Sequence, residues 1–278
     1  MTEYAKTTYN LNSRIVFNDV VSDSSKYVLL DIPAITDTLA VNVEEGKPEE
    51  PGIIDFGTKL EKGQWIVPVT LYASTFANMQ SLIQTFKQAL NPDLMELDAT
   101  YGEATVHSGY HPLDWTETVG ATSYDFRIYV KSVETPSLAM DSLAGLIRKA
   151  KVQLKARDPR KYTQAQASLS GAGTAANAGT YTTPVEITIT ASGATSTSLA
   201  ITNSTTSKSI LVTTALANND VLVIDTFLHS VKLNGVEKRS MLGAGTDWWL
   251  LNPGNNTIAV SNGTNAAVVT RWRSAWPL

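Results

Sequence analysis

Between Val185 and Trp272 the chain repeats one device, a short run of β-prone residues followed by residues that turn. Val185, Ile187 and Ile189 alternate with Glu186, Thr188 and Thr190, the period-two pattern of a strand with one buried face. Similar runs cover 197–203, 209–212, 221–225, 230–233, 248–251, 256–260 and 267–272. Between them stand Ser192-Gly193, Asn218-Asn219-Asp220, Asn234-Gly235, Pro253-Gly254 and Asn262-Gly263, residue types that reverse a chain at low cost. Asn234-Gly235 and Asn262-Gly263 give the strongest hairpin signals, because a type I′ turn needs positive φ at both central positions. No helical pattern interrupts the series, so residues 184–278 are expected to form an antiparallel β-sandwich of jelly-roll type.

The preceding stretch, 164–183, is Ala, Gly, Ser and Thr with almost no large apolar residue, and reads as a linker. Residues 1–163 then make a first, mainly β domain. Trp65, Val67, Val69 and Leu71 alternate with Ile66, Pro68, Thr70 and Tyr72, and Pro68 favours an edge or a bulge. Further strands are expected at 14–17, 26–30, 38–43, 94–99, 124–133 and 151–156. One helix is expected at about 75–90: Phe76, Met79, Leu82, Ile83, Phe86 and Leu90 recur at helical spacing, Ser74 or Thr75 can cap it, and Asn91-Pro92 stops it. A second helix over 137–149 is weakened by Gly145.

Composition removes several function classes. The net charge is −4, so no general basic field exists to hold nucleic acid through counterion release. No apolar run approaches the ~20 residues of a membrane helix, and the polar N-terminus lacks the order of a secretion signal; a soluble chain without membrane insertion is expected. Without cysteine there are no disulfides, thiolate metal sites or cysteine nucleophiles.

Candidate chemical sites are weak. His107 and His111, with Glu103 and Asp114 nearby, have the spacing of a helical metal pair, but Gly109 and Pro112 oppose a helix and exposed loop histidines are the simpler reading. His229 stands alone before a strand. No Gly-x-Ser-x-Gly elbow is present, and Gly171-x-Gly173 and Gly243-x-Gly245 lack the strand and helix context of a phosphate cradle. Glu44, Glu45, Glu49 and Glu50 around Gly46 and Pro48 read as a solvated loop or an acidic contact surface. No catalytic, cofactor or metal site is therefore assigned. Trp248 and Trp249 are adjacent on an expected strand, so one should enter the core and the other face outward as a contact for a protein or a sugar.

Two segments carry a family resemblance. The first is Val152-Gln-Leu-Lys-Ala156-Arg-Asp158-Pro159-Arg-Lys-Tyr162, an alternating strand running into Asp-Pro and Lys-Tyr. The second is the succession Asn219 to Thr226, Val231-Lys-Leu-Asn234-Gly235, Trp248 to Ile258 with Pro253-Gly254 and Asn256, and Arg271-Trp272-Arg273. In this order and spacing the chain resembles the distal tail proteins of siphophages. The resemblance implies a tail-tube-like N-terminal β-barrel with one helix and a galectin-like C-terminal sandwich. It marks Asp158, Pro159, Tyr162, Asp225, Asn234, Gly235, Pro253, Gly254, Asn256 and Trp272 as structural positions of the family pattern. It further implies a non-enzymatic homohexameric ring at the virion tail tip, assembled in the host cytoplasm and contacting the tail tube protein, the tail-tip hub protein and receptor-binding or fibre proteins. DNA would meet it only in transit through the lumen. The alternatives are a lectin-like protein that binds host glycans and, last, a glycan-cleaving enzyme.

Overall fold

The computed structural model describes residues 9–11, 15–18, 25–30, 40–46, 53–60, 64–97, 109–119, 122–140, 146–156, 158 and 160–277. The chain divides into two compact units, with the boundary between Lys161 and Tyr162.

The first unit contains β1 (Tyr9–Leu11), β2 (Ile15–Asn18), β3 (Lys26–Leu30), β4 (Ala40–Gly46), β5 (Ile53–Leu60), β6 (Gln64–Ala73), α1 (Phe76–Ala89), α2 (Pro92–Leu97), β7 (His111–Val119), β8 (Thr122–Ser132), β9 (Leu138–Met140) and β10 (Ile147–Ala156). Neighbours run β8-β7-β1-β2-β3-β6-β10-β9, and β10 pairs again with β8 through Leu154↔Ser132, Lys155↔Lys131 and Ala156↔Val130. That second pairing closes the sheet on itself, so the strands from β8 round to β10 form a barrel with no free edge between them. Among the described residues, only β2 and β3 run parallel. Along β10 the small and aliphatic Ala150, Val152, Leu154 and Ala156 are buried while Lys149, Lys151 and Lys155 face out, the inside-outside alternation a barrel wall requires. Pro68 stands one residue before β6 enters its described pairing with β3 at Leu30↔Val69, so its missing N–H breaks no described bond to that neighbour.

Helix α1 begins at the Thr75 cap, whose Oγ1 accepts from the Asn78 amide, and it buries Met79, Leu82, Phe86 and Ala89. Phe76, expected on the same stripe, is 60% exposed. Three expectations are corrected. Residues 94–97 lie in α2, not a strand, because Asn91 caps a new turn with Pro92 at its first position and Met95 turns inward. The segment expected as a second helix holds β9 and the start of β10 instead: ladder bonds such as Arg148↔Met140 and Arg148↔Leu71 override the helical spacing. Glu44 and Glu45 lie in β4, opposite Asp55 and Ile54 of β5, rather than in a loop; Glu49 and Glu50 lie outside the described residues.

The second unit follows with β11 (Arg160–Thr163) at the boundary, then β12 (Ala167–Ser170), β13 (Gly173–Asn177), β14 (Val185–Ala191), β15 (Leu199–Asn203), β16 (Lys208–Val212), β17 (Val221–Asp225), β18 (Ser230–Leu233), β19 (Val236–Glu237), a 3₁₀ turn at Arg239–Met241, β20 (Gly254–Ser261), β21 (Ala266–Trp272) and β22 (Ala275–Pro277). Two antiparallel sheets, β12-β21-β14-β17-β18-β19 and β13-β20-β15-β16, form the sandwich. Ile187, Ile189, Leu222, Ile224 and Val268 from one sheet meet Leu199, Ile201, Ile210, Val212 and Ile258 from the other. Each such side chain contributes about 1.5–3 kcal/mol on full burial.

The segment 164–183 is not a linker, since it supplies β12 and β13, one edge strand to each sheet. Its small residues pack close to the core: Ala175 is fully buried, and a Cβ on Gly179 would lie 1.8 Å from the Ala275 carbonyl oxygen. Asn234-Gly235 makes the expected hairpin, with φ of 50° and 81°. At Asn262-Gly263 only Asn262 has positive φ, and Asn265 (φ 59°) completes a longer loop, so this turn is not type I′.

Candidate functional site

The family-pattern residues serve as fasteners within the fold. Asp158 accepts from Arg160 Nε at 2.7 Å, from Arg160 Nη2 at 2.7 Å and from the Arg160 amide at 3.2 Å, a bidentate pair buried at both ends. Pro159 lies outside the described residues. Tyr162 is fully buried. Asp225 ends β17 and accepts from the amides of Phe227 and Leu228, which holds the tight turn to β18; burial pushes its carboxyl above the usual aspartate range. Asn234 accepts from the Val221 amide and donates to Asp220. Gly254, after the exposed Pro253, has φ 85°, a conformation that favours glycine.

Buried asparagines close the ends of the sandwich. Asn256 accepts from the Asn252 amide and donates to the carbonyls of Asn252 and Gly254, and Asn203 donates to Asn256 and to Leu250. Asn177 accepts from the amides of Gly179 and Ala275 and donates to Tyr181. Trp272 is buried and donates from Nε1 to the Ala176 carbonyl. Sequence alone left Asn177 and Asn203 unmarked, since an asparagine satisfied in the core looks like any turn asparagine.

The tandem tryptophans divide as expected, although only Leu251 of that segment joins a ladder, through a bridge to Thr183. Trp249 is fully buried, with Nε1 donating to the Ile201 carbonyl. Trp248 stays partly exposed. The imidazole of His229 stacks on it with centroids 4.8 Å apart and planes 18° apart, and the Arg239 guanidinium stands 5.6 Å from the ring centre. His229 is therefore not alone. Beside Trp248 opens a cavity of about 160 Å³ lined by Arg239, Leu242, Gly243, Gly245, Thr246 and Trp248.

His111 is corrected from an exposed loop residue to a buried one at the start of β7, within 3.3 Å of the Met95 carbonyl. His107 lies outside the described residues. Among the described residues, no three His, Asp or Glu side chains stand together as metal ligands.

The comparisons follow this architecture. Residues 178–276 match the family described as siphovirus-type tail component, C-terminal domain. Among solved structures, the Dit protein of phage SPP1, described as a paradigm of the hub adsorption apparatus in phages that infect Gram-positive hosts, is 13% identical; the match covers 97% of this chain and 98% of that one with a TM-score of 0.61. A chain of the phage p2 baseplate in its activated conformation with strontium is 7% identical, covering 95% of this chain and 97% of that one at a TM-score of 0.53. The same baseplate with calcium gives 8% identity and the same TM-score, 0.53. No curated protein sequence matches. Sequence and fold thus agree on one resemblance, to the siphophage distal tail proteins, carried by a family match in the C-terminal domain and by a shared fold along the chain.

Proposed function

We propose that this chain is a structural subunit of a siphophage tail tip that assembles into a homohexameric ring between the tail tube and the tail-tip hub, and that it catalyses no reaction. The observation that carries the reading is likeness to a hub adsorption protein over nearly the whole length of both chains, rather than in one module. Its work is then geometric, and its partners are further copies of itself, the tube protein above, the hub protein below and receptor-binding or fibre proteins at the rim. DNA passes through the lumen without being held, consistent with the net charge of −4.

The barrel surface supports self-association. Ile66 on β6 is 60% exposed in mid-strand, directly opposite Gln153 on β10, whose carbonyl accepts from the Val133 amide just past β8. Val133 is exposed too, so two aliphatic side chains flank Gln153 across three adjacent strands, with Lys131, Lys151 and Lys155 around them. An apolar centre with a charged rim is the usual anatomy of a protein contact. In addition, among the described residues β4 and β5 pair only with each other, and an isolated two-stranded ladder is marginal in water without something to pack on.

Light scattering on the purified full-length chain tests the ring. A particle of six chains of 30.0 kDa each is expected. A chain that stays monomeric at micromolar concentration, with tube and hub proteins present, would contradict it.

A further inference from the structure

We infer that the cleft beside Trp248 is a binding site for a single pyranose that carries an anionic group, a carboxylate or a phosphate. This inference stands apart from ring assembly, because it concerns one face of the sandwich and holds for a monomer or an oligomer alike. At about 160 Å³ the open cavity takes one sugar ring and is well below the ~300–1,000 Å³ of sites for drug-sized ligands.

Three features favour an acidic sugar. Trp248 forms one wall, and an indole face is the natural partner for the C–H-bearing face of a pyranose. His229 stacks on the same indole without lining the cleft, which fixes the ring plane before a ligand arrives. Arg239 is exposed, lines the cleft with its guanidinium over the Trp248 ring, 5.6 Å from the ring centre, and makes no ion pair among the described residues, so the in-plane N–H donors of its fork can meet a carboxylate or phosphate. No carboxylate lines the cavity to compete for it.

The floor is built to stay open. Gly243 packs so closely that a Cβ there would lie 2.5 Å from Thr213 Cγ2, which pins the loop against β16 and its continuation. Gly245 (φ 89°) meets nothing within 4 Å of a Cβ, so a side chain there would occupy free space at the cleft. Thr246 Oγ1 accepts from the Leu211 amide, tying the far side of the loop to the same strand. Wall, cation and glycine floor therefore come from one stretch of chain, 239–248, tied to Leu211 at Gly243 and at Thr246.

Saturation-transfer NMR on the full-length protein provides the test, with glucuronic acid, glucose 6-phosphate and glucose as probes. One stacked ring and one ion pair predict dissociation constants on the order of a millimolar for an acidic sugar and at least about ten-fold weaker binding of glucose. The stronger of the two acidic probes identifies the anionic group. Arg239→Gln, at an exposed position that leaves the fold intact, should erase the difference between acidic and neutral sugars; Trp248→Ala should abolish transfer to all three. The inference is overturned if neither acidic sugar shows transfer, if glucose binds as well as they do, or if transfer survives unchanged in Arg239→Gln.

Discussion

In the sandwich of Tyr162–Trp276 the largest side chains are spent inward: Trp249, Ile187, Ile201 and Ile224 are fully buried, and Asn177, Asn203 and Asn256 have their polar atoms matched inside it. In the first unit an equally regular barrel leaves Ile66 and Phe76 each 60% exposed and a two-stranded ladder that, among the described residues, joins no other sheet. The contrast separates two ways of using apolar residues. The sandwich uses most of them to hold itself together, Tyr181 and Val236 excepted, whereas the barrel unit leaves more of its apolar side chains exposed, as the proposed self-association requires.

The largest expected effect therefore lies in the sandwich. Trp249→Ala should destabilise it by about 3–5 kcal/mol through the cavity left behind, read as a lower denaturant midpoint with ring assembly by the barrel still detectable in the surviving folded fraction. If the midpoint hardly moves, the sandwich core is not what holds this unit. Next comes the boundary pair. Asp158→Ala removes one carboxylate from the buried Arg160 guanidinium and should cost about 3 kcal/mol, measured in the same way, whereas replacing both residues with apolar ones should recover much of the loss.

A smaller, pH-dependent effect is expected at Asp225. Because burial raises its carboxyl, the folded protein keeps a proton that the unfolded chain has already released, in the range between the ordinary aspartate value and the raised one. Its contribution is full below that range and is lost as pH rises through it. Asp225→Asn keeps an oxygen to accept from Phe227 and Leu228 and should flatten that part of the stability curve. An unchanged slope would assign it to other groups. The smallest effect on stability is expected at Ile66→Asp, within about 0.5 kcal/mol for an exposed site, yet the variant should lose self-association by light scattering. Assembly at wild-type strength would remove this face from the proposed contact.

How far the sequence could be read follows the same division. Strands with one wet and one dry face announce themselves by alternation, so β14, β17 and β18 were legible residue by residue, as was the Asn234-Gly235 turn. What stayed hidden was set by partners distant in the chain. β12 and β13 have too few large residues to signal strands, and they exist because β21 and β20 offer them edges. The 94–97 stretch has no room to show a period, so its cap at Asn91 decided helix over strand. At the cleft, Trp248 could be singled out from its neighbour, but His229 and Arg239 come from separate turns and only the fold brings them to it.

The central claim is that this chain is a building block of a phage tail tip. Immunogold labelling of purified virions, with antibody raised against the full chain, tests it most directly. Gold confined to the end of the tail, at the junction of tube and tip, is the predicted result. Intact, infectious particles that carry no label, from cells in which the chain is made in quantity, would contradict the account.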